Sequence, residues 1–103
     1  MSNAELFAAL GDPTRLALVS RLADGQPRSI GELVRDAAIS RQALTKHLRV
    51  LERAGAVSSA RLGREVRFQI EQRKLAEARA FLATVSEQWE SALSRLADHV
   101  ERS

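Results

Sequence analysis

The last third of the chain repeats apolar residues at steps of three and four without interruption. This spacing predicts one helix from Gln72 to Glu101 whose apolar positions are Leu75, Ala78, Leu82, Val85, Trp89, Ala92, Leu93, Leu96 and Val100. At 1.5 Å per residue such a helix is roughly 45 Å long, which is more than a small domain can cover. We therefore expect a second copy of the chain to bury its apolar face. The alternative is a helix that packs along its own domain and frays at its end.

Helix start and stop signals divide residues 4–55 into four shorter helices. Asp12, Ser29 and Ser40 are the predicted N-caps, and Glu32 completes a capping box with Ser29. Gly55 suits the left-handed residue that often ends a helix. The predicted helices are residues 4–10, 13–23, 30–37 and 41–54.

The period of the pattern changes after residue 55. Val66, Phe68 and Ile70 alternate strictly with polar residues over 65–70, which predicts a half-buried strand. Residues 57–61 are a plausible partner strand, and residues 62–64 form the turn. The predicted fold is therefore mainly α with a small β-hairpin, in the order α-α-α-α-β-β-α, as a single domain over residues 1–103.

Positive charge is concentrated in the middle of the chain. Residues 28–74 hold eleven Lys and Arg against five Asp and Glu, whereas the segments on either side are slightly acidic. A basic patch of this kind is typical of a surface that faces phosphates. The alternative is a solvated surface with scattered charge.

The predicted helix 41–54 has two contrasting faces. Leu44, Leu48 and Leu51 share one face, and basic and hydrogen-bonding side chains share the other. A helix of this kind fits the major groove of double-stranded DNA, and the cap Ser40 leaves the helix N-terminus available to a phosphate. The alternative is an ordinary amphipathic surface helix. The candidate DNA-binding residues of this segment are Ser40, Arg41, Gln42, Thr45, Lys46 and Arg49.

The predicted hairpin carries Arg61, Arg64 and Arg67 on or beside its turn. A hairpin with arginines at its tip could straddle a phosphate strand, and Arg64 could enter the minor groove. The alternative is an edge hairpin whose charges prevent aggregation.

Two motifs, Gly11-Asp12-Pro13-Thr14-Arg15 and the segment 43–57 with its glycine stop, resemble the ArsR/SmtB family of bacterial regulators. The resemblance covers about residues 4–101. It implies a homodimeric winged helix-turn-helix repressor in which the helix after Ser40 reads operator DNA and the first and last helices form the dimer interface. The expected interface residues are Leu6, Phe7, Leu82, Val85, Trp89, Leu93 and Leu96.

Metal-sensing members of that family carry a Cys-x-Cys box whose matching positions here are Ser29 and Gly31, and the chain has no cysteine. A second family site lies on the last helix, but Asp98, His99 and Glu101 lack its spacing. We therefore expect no metal and no cofactor, and the effector stays unknown. A zinc site shared across the dimer through His99 is the alternative.

Several classes of protein are not expected. The sequence shows no nucleophile with an organised base, so we expect no enzyme. It has neither a membrane-spanning apolar run nor a secretory signal, which suggests the cytoplasm. His47 fits a packing role better than a base contact. Two other functions stay open: a winged-helix module that binds an acidic protein, and a regulator with a metal or small-molecule effector at the dimer interface.

Overall fold

The computed structural model describes residues 3–102, so the outermost residues of the expected domain 1–103 lie outside this description. The predicted order of helices and hairpin is confirmed, with one additional short strand. The elements are α1 (Asn3–Leu10), α2 (Pro13–Leu22), β1 (Arg28–Ser29), α3 (Ile30–Arg35), α4 (Arg41–Arg53), β2 (Val57–Leu62), β3 (Glu65–Ile70) and α5 (Gln72–Arg102).

The helix boundaries follow the predicted caps. The Asp12 carboxylate accepts the Arg15 amide at 3.0 Å, and the Ser40 hydroxyl accepts the Ala43 amide at 3.1 Å. The reciprocal capping box of Ser29 and Glu32 is present. Gly55 adopts the expected left-handed conformation with φ of 84°. Only α3 is clearly shorter than predicted, because the backbone leaves helical geometry at Asp36.

The sheet has the strand order β1-β3-β2, so β3 is its central strand. Leu62 pairs with Glu65, which reduces the turn to Gly63 and Arg64 rather than the three residues expected. The sequence pattern did not reveal β1. It has two residues, opposite Phe68 and Arg67, and is too short for a periodic signal.

The core lies between helices α1 to α4 and one face of the sheet. Its largest fully buried side chains are Phe68, Leu6, Leu22, Leu33, Leu44, Leu48 and Leu51. The presence of Leu6 in this set corrects an expectation. Because Leu6 has no exposed surface, it stabilises its own chain and cannot contribute a contact to a second copy.

Helix α5 leaves the rest of the molecule after its first two turns. Ala78 is its only buried residue in the described part of the chain, and Phe81 packs against Phe7 of α1 with ring centroids 5.9 Å apart. Beyond that contact the helix projects outward, and the molecule measures 68 Å in its longest direction against 26 and 22 Å. The alternative in which α5 packs along its own domain is therefore wrong for the single chain. Among residues 3–102, no helix combines the length and apolarity that crossing a bilayer needs.

Candidate nucleic-acid interface

Helix α4 presents its polar face to solvent because its apolar face is fixed in the core. Leu44, Leu48 and Leu51 are fully buried. On the opposite face Gln42 and Lys46 are exposed, whereas Thr45 is half-buried and its hydroxyl donates to the Arg41 carbonyl at 2.8 Å. The helix therefore offers one amide, one ammonium group and one hydroxyl to a ligand from a rigid scaffold.

Arg21 joins α2 to the C-terminal end of α3. Its guanidinium donates to the Leu33 carbonyl at 2.7 Å and to the Asp36 carboxylate at 3.0 Å, so it satisfies the C-terminal end of α3. Sequence reasoning missed this residue. A lone arginine in an amphipathic helix gives no sign of which carbonyl groups it will reach.

Arg28 closes the loop between α2 and α3. It forms a two-pronged pair with Asp24, with distances of 2.8 and 2.7 Å. Together with the Gln26 amide, this pair holds the pKa of the Asp24 carboxyl far below its usual range. The ion pair links the two ends of the loop that leads into α3.

His47 faces the start of α2 rather than the solvent in front of α4. Its Nδ1 atom lies 3.4 Å from the Arg15 guanidinium and 3.9 Å from the Asp12 carboxylate. These contacts favour the packing role for His47. They also explain the Asp-Pro-Thr-Arg motif, whose charged residues join α2 to α4.

The three arginines of the hairpin have different surroundings. Arg64 lies at the tip beside Gly63, and Arg61 donates to the Gly63 carbonyl at 3.3 Å. Arg67 lies instead on the central strand, half-buried and 3.1 Å from the Glu65 carboxylate. Only two of the three therefore belong to the tip.

Helix α4 and the hairpin are joined through Glu52. Its carboxylate accepts a short hydrogen bond from the Ser59 hydroxyl on β2 and pairs with Arg49 at 2.8 Å. These two donors hold the pKa of Glu52 below its usual range, and the hydrogen bond from Ser59 has the larger effect. The Arg49 guanidinium also lies 5.4 Å from the centroid of the Phe68 ring. These contacts link α4 to both strands of the hairpin.

The lowered pKa of Glu52 predicts a pH-dependent contribution to stability. A carboxyl whose pKa is lower in the folded protein stabilises it above the unfolded value of 4.5, and this contribution is lost as pH falls through the folded value. Glu52→Gln should therefore lower the free energy of unfolding by about 1 kcal/mol at pH 7, and by less at pH 3. Urea denaturation at the two pH values measures this difference. An equal loss at both would show that the charge of Glu52 is not involved.

Comparison with known proteins identifies the family. A helix-turn-helix domain model matches residues 10–60. The HTH-type transcriptional regulator Rv2034 of Mycobacterium tuberculosis is 42% identical over 76 residues, which cover 74% of this chain and 70% of that one. An ArsR-like transcriptional regulator from Rhodococcus sp. RHA1 superposes with a TM-score of 0.78 at 33% identity, covering 91% of this chain and 88% of the other. The chain belongs to the ArsR/SmtB family of winged helix-turn-helix transcriptional regulators.

The repressor SmtB of M. tuberculosis is 38% identical to this chain over 72 residues. They cover 70% of this chain but only 53% of the SmtB chain. In family terms, α3 and α4 form the helix-turn-helix, and β2 and β3 form the wing. The expected fold and the expected family are both confirmed.

In this member of the ArsR/SmtB family, the two positions of the Cys-x-Cys box belong to the start of helix α3 and carry no metal ligand. Ser29 is buried, and its hydroxyl accepts the Glu32 amide at 3.1 Å, while Gly31 has no side chain to offer. Within residues 3–102 there is no group of three His, Cys, Asp or Glu side chains that could hold a metal ion.

Proposed function

We propose that two copies of this chain form a cytoplasmic homodimer that binds an inverted repeat in double-stranded DNA and represses transcription from it. The observation that carries the proposal is the polar face of α4, which lies beside an arginine-tipped wing. No carboxylate interrupts the helix surface formed by Gln42, Thr45 and Lys46. A two-fold dimer would place two such helices on half-sites about one helical turn, or a multiple of it, apart.

The apolar face of α5 supports the dimer. Its exposed apolar side chains are Leu82, Val85, Trp89, Leu93, Leu96 and Val100. They lie along one side of a helix, which is the arrangement that a second helix buries in a bundle or coiled coil. Phe7 is half-buried against Phe81 beside this face, so it joins the proposed interface.

The proposed DNA contacts fall into two groups. Gln42, Thr45 and Lys46 lie toward the N-terminal end of α4, the part that usually enters the major groove, and we assign base reading to them. Ser40, Arg41, Arg61 and Arg64 flank them on the helix start and the wing, and we assign phosphate contacts to this second group.

Arg49 and Arg67 differ from the other candidates because each has a carboxylate partner within the chain. Arg49 pairs with Glu52, and Arg67 pairs with Glu65. Either would have to exchange its carboxylate for a phosphate in order to bind DNA. We therefore assign Arg49 mainly to positioning the wing, and Arg67 to a secondary phosphate contact.

Base-reading and phosphate-binding residues should respond differently to substitution. Gln42→Ala should cost about 1–3 kcal/mol per base contact and flatten the preference at one position in each half-site. Arg64→Ala should weaken binding to all sequences alike and reduce the slope of log affinity against log salt by about one per contact, or about two per dimer.

The experiment has two stages. Genomic fragments recovered on the immobilised protein give the shared motif, and each variant is then titrated with salt on that duplex and on a scrambled one. If Gln42→Ala weakens both duplexes equally while Arg64→Ala affects only the motif, the two assignments are reversed. If the wild type shows no preference for the motif, a protein-binding function becomes the better explanation.

A further inference from the structure

A cavity of about 220 Å³ lies where the wing meets the helix-turn-helix. Three separate parts of the chain line it. Arg41 comes from the first turn of α4, Arg64 and Glu65 come from the wing, and Ser29 and Gly31 come from the start of α3. The cavity is thus a cleft that exists only because helix and wing are held together, and it opens beside the proposed reading face.

The charges around this cleft leave two arginines available. In the described part of the chain, the side chains of Arg41 and Arg64 form neither a hydrogen bond nor an ion pair, and both residues are exposed to solvent. The third charged residue of the lining, Glu65, is neutralised by Arg67 at 3.1 Å. The cleft therefore presents two free guanidinium groups without a competing free carboxylate.

The polar groups of α3 do not compensate these arginines either. The Ser29 hydroxyl and the Glu32 carboxylate are engaged with each other in the capping box, at 3.2 Å. Gly31 adds no side chain, and the apolar residues Ile30 and Val66 complete the lining, so they add no charge to the cleft. Two unpaired arginines that line the same cleft suit an anion with several oxygen acceptors, and guanidinium groups match phosphate in particular.

We propose that this cleft binds one DNA-backbone phosphate, which Arg41 and Arg64 hold jointly from the helix and from the wing. The inference rests on the proposed DNA-binding function and deepens it. One phosphate held from both sides fixes how far α4 enters the groove and where the wing lies along the backbone. Such a contact sets register without reading sequence.

The proposal predicts that Arg41 and Arg64 act on the same phosphate. Arg41→Ala and Arg64→Ala should each weaken binding about tenfold or more, as expected for hydrogen bonds to a charged group. Because the two residues share a partner, the double variant should depart clearly from the product of the single effects. Arg95→Ala is the control for the loss of one positive charge. Arg95 is an exposed arginine of α5 that is remote from the cleft in the sequence.

A neutral-phosphate scan identifies the contact directly. A set of operator duplexes is prepared in which each backbone phosphate in turn is replaced by an uncharged methylphosphonate, and the affinity of every variant is measured for each duplex. At one position per half-site, the neutral group should weaken wild-type binding and make both Arg41→Ala and Arg64→Ala nearly silent, with changes of about twofold or less. Circular dichroism and thermal unfolding check that each variant is folded.

The outcomes separate this inference from the function on which it rests. If the two substitutions become silent at different phosphates, or at none, the shared cleft contact is wrong although the protein still binds its operator. If the wild type does not bind the operator selectively, the DNA-binding function itself fails. If inorganic phosphate at constant ionic strength binds the DNA-free protein and depends on both arginines while the scan shows no shared position, the cleft serves a free anion and the proposal is overturned.

Discussion

Trp89→Ala should convert the protein from a dimer into a monomer that is still folded. In the single chain 67% of the Trp89 surface is exposed, so its removal leaves no cavity in the core. The cost should appear only at the interface, where truncating a large buried aromatic side chain removes about 3–5 kcal/mol. The loss from one copy already raises the dissociation constant by at least about a hundredfold, and each dimer contains two copies of Trp89.

Analytical ultracentrifugation or light scattering over a range of concentrations measures this shift. Ser94→Ala is a matched control, because Ser94 is an exposed residue of the same helix outside the apolar face. It should leave the dimer unchanged. A wild-type protein that is monomeric at micromolar concentration would contradict the proposed assembly.

Loss of the dimer should also weaken binding to the operator more than binding to one half-site. A dimer places its second helix at high effective concentration over the second half-site, and a monomer does not. Comparing Trp89→Ala on full and half operators therefore distinguishes an assembly defect from a damaged reading face, since damage to α4 would weaken both.

Local signals explain why so much of the fold could be predicted from the sequence. Asp12, Ser29 and Ser40 each carry a side-chain oxygen that satisfies a free amide at a helix start, so one residue defines each boundary. Alternation of apolar residues over 65–70 identifies a strand with one buried face. These effects act within a few residues along the chain and need no knowledge of distant contacts.

The features that could not be predicted depend on contacts between distant segments. Arg21 reaches the Leu33 carbonyl of α3, twelve residues away, and β1 exists only because β3 lies beside it. Leu6 and Phe7 are adjacent apolar residues, and the sequence does not reveal which one points into the core. Arg49 pairs with Glu52 on its own helix, but Glu52 is in turn held by Ser59 of β2, and the sequence does not reveal that contact.

Phe68 connects this core to the proposed interface, and its substitution should have the largest effect on folding. It is fully buried on the central strand β3, and its ring lies beneath the Arg49 guanidinium. Phe68→Ala should lower the free energy of unfolding by about 3–5 kcal/mol through the cavity that it leaves. Much of the 5–15 kcal/mol that is typical of a folded protein would be lost.

Phe68→Leu separates the loss of volume from the loss of the aromatic ring. Leucine restores most of the apolar volume, so we expect a cost of about 1–2 kcal/mol, which includes the cation–π contact with Arg49. Urea denaturation at one fixed protein concentration compares the two variants with the wild type, because the stability of a dimer depends on concentration.

If Arg49 positions the wing, Phe68→Leu should also weaken operator binding without changing the salt slope, since no phosphate contact is removed. If the slope of log affinity against log salt instead falls by about one per protomer, Arg49 binds a phosphate. The Phe68 ring would then be needed to keep the Arg49 guanidinium at that phosphate.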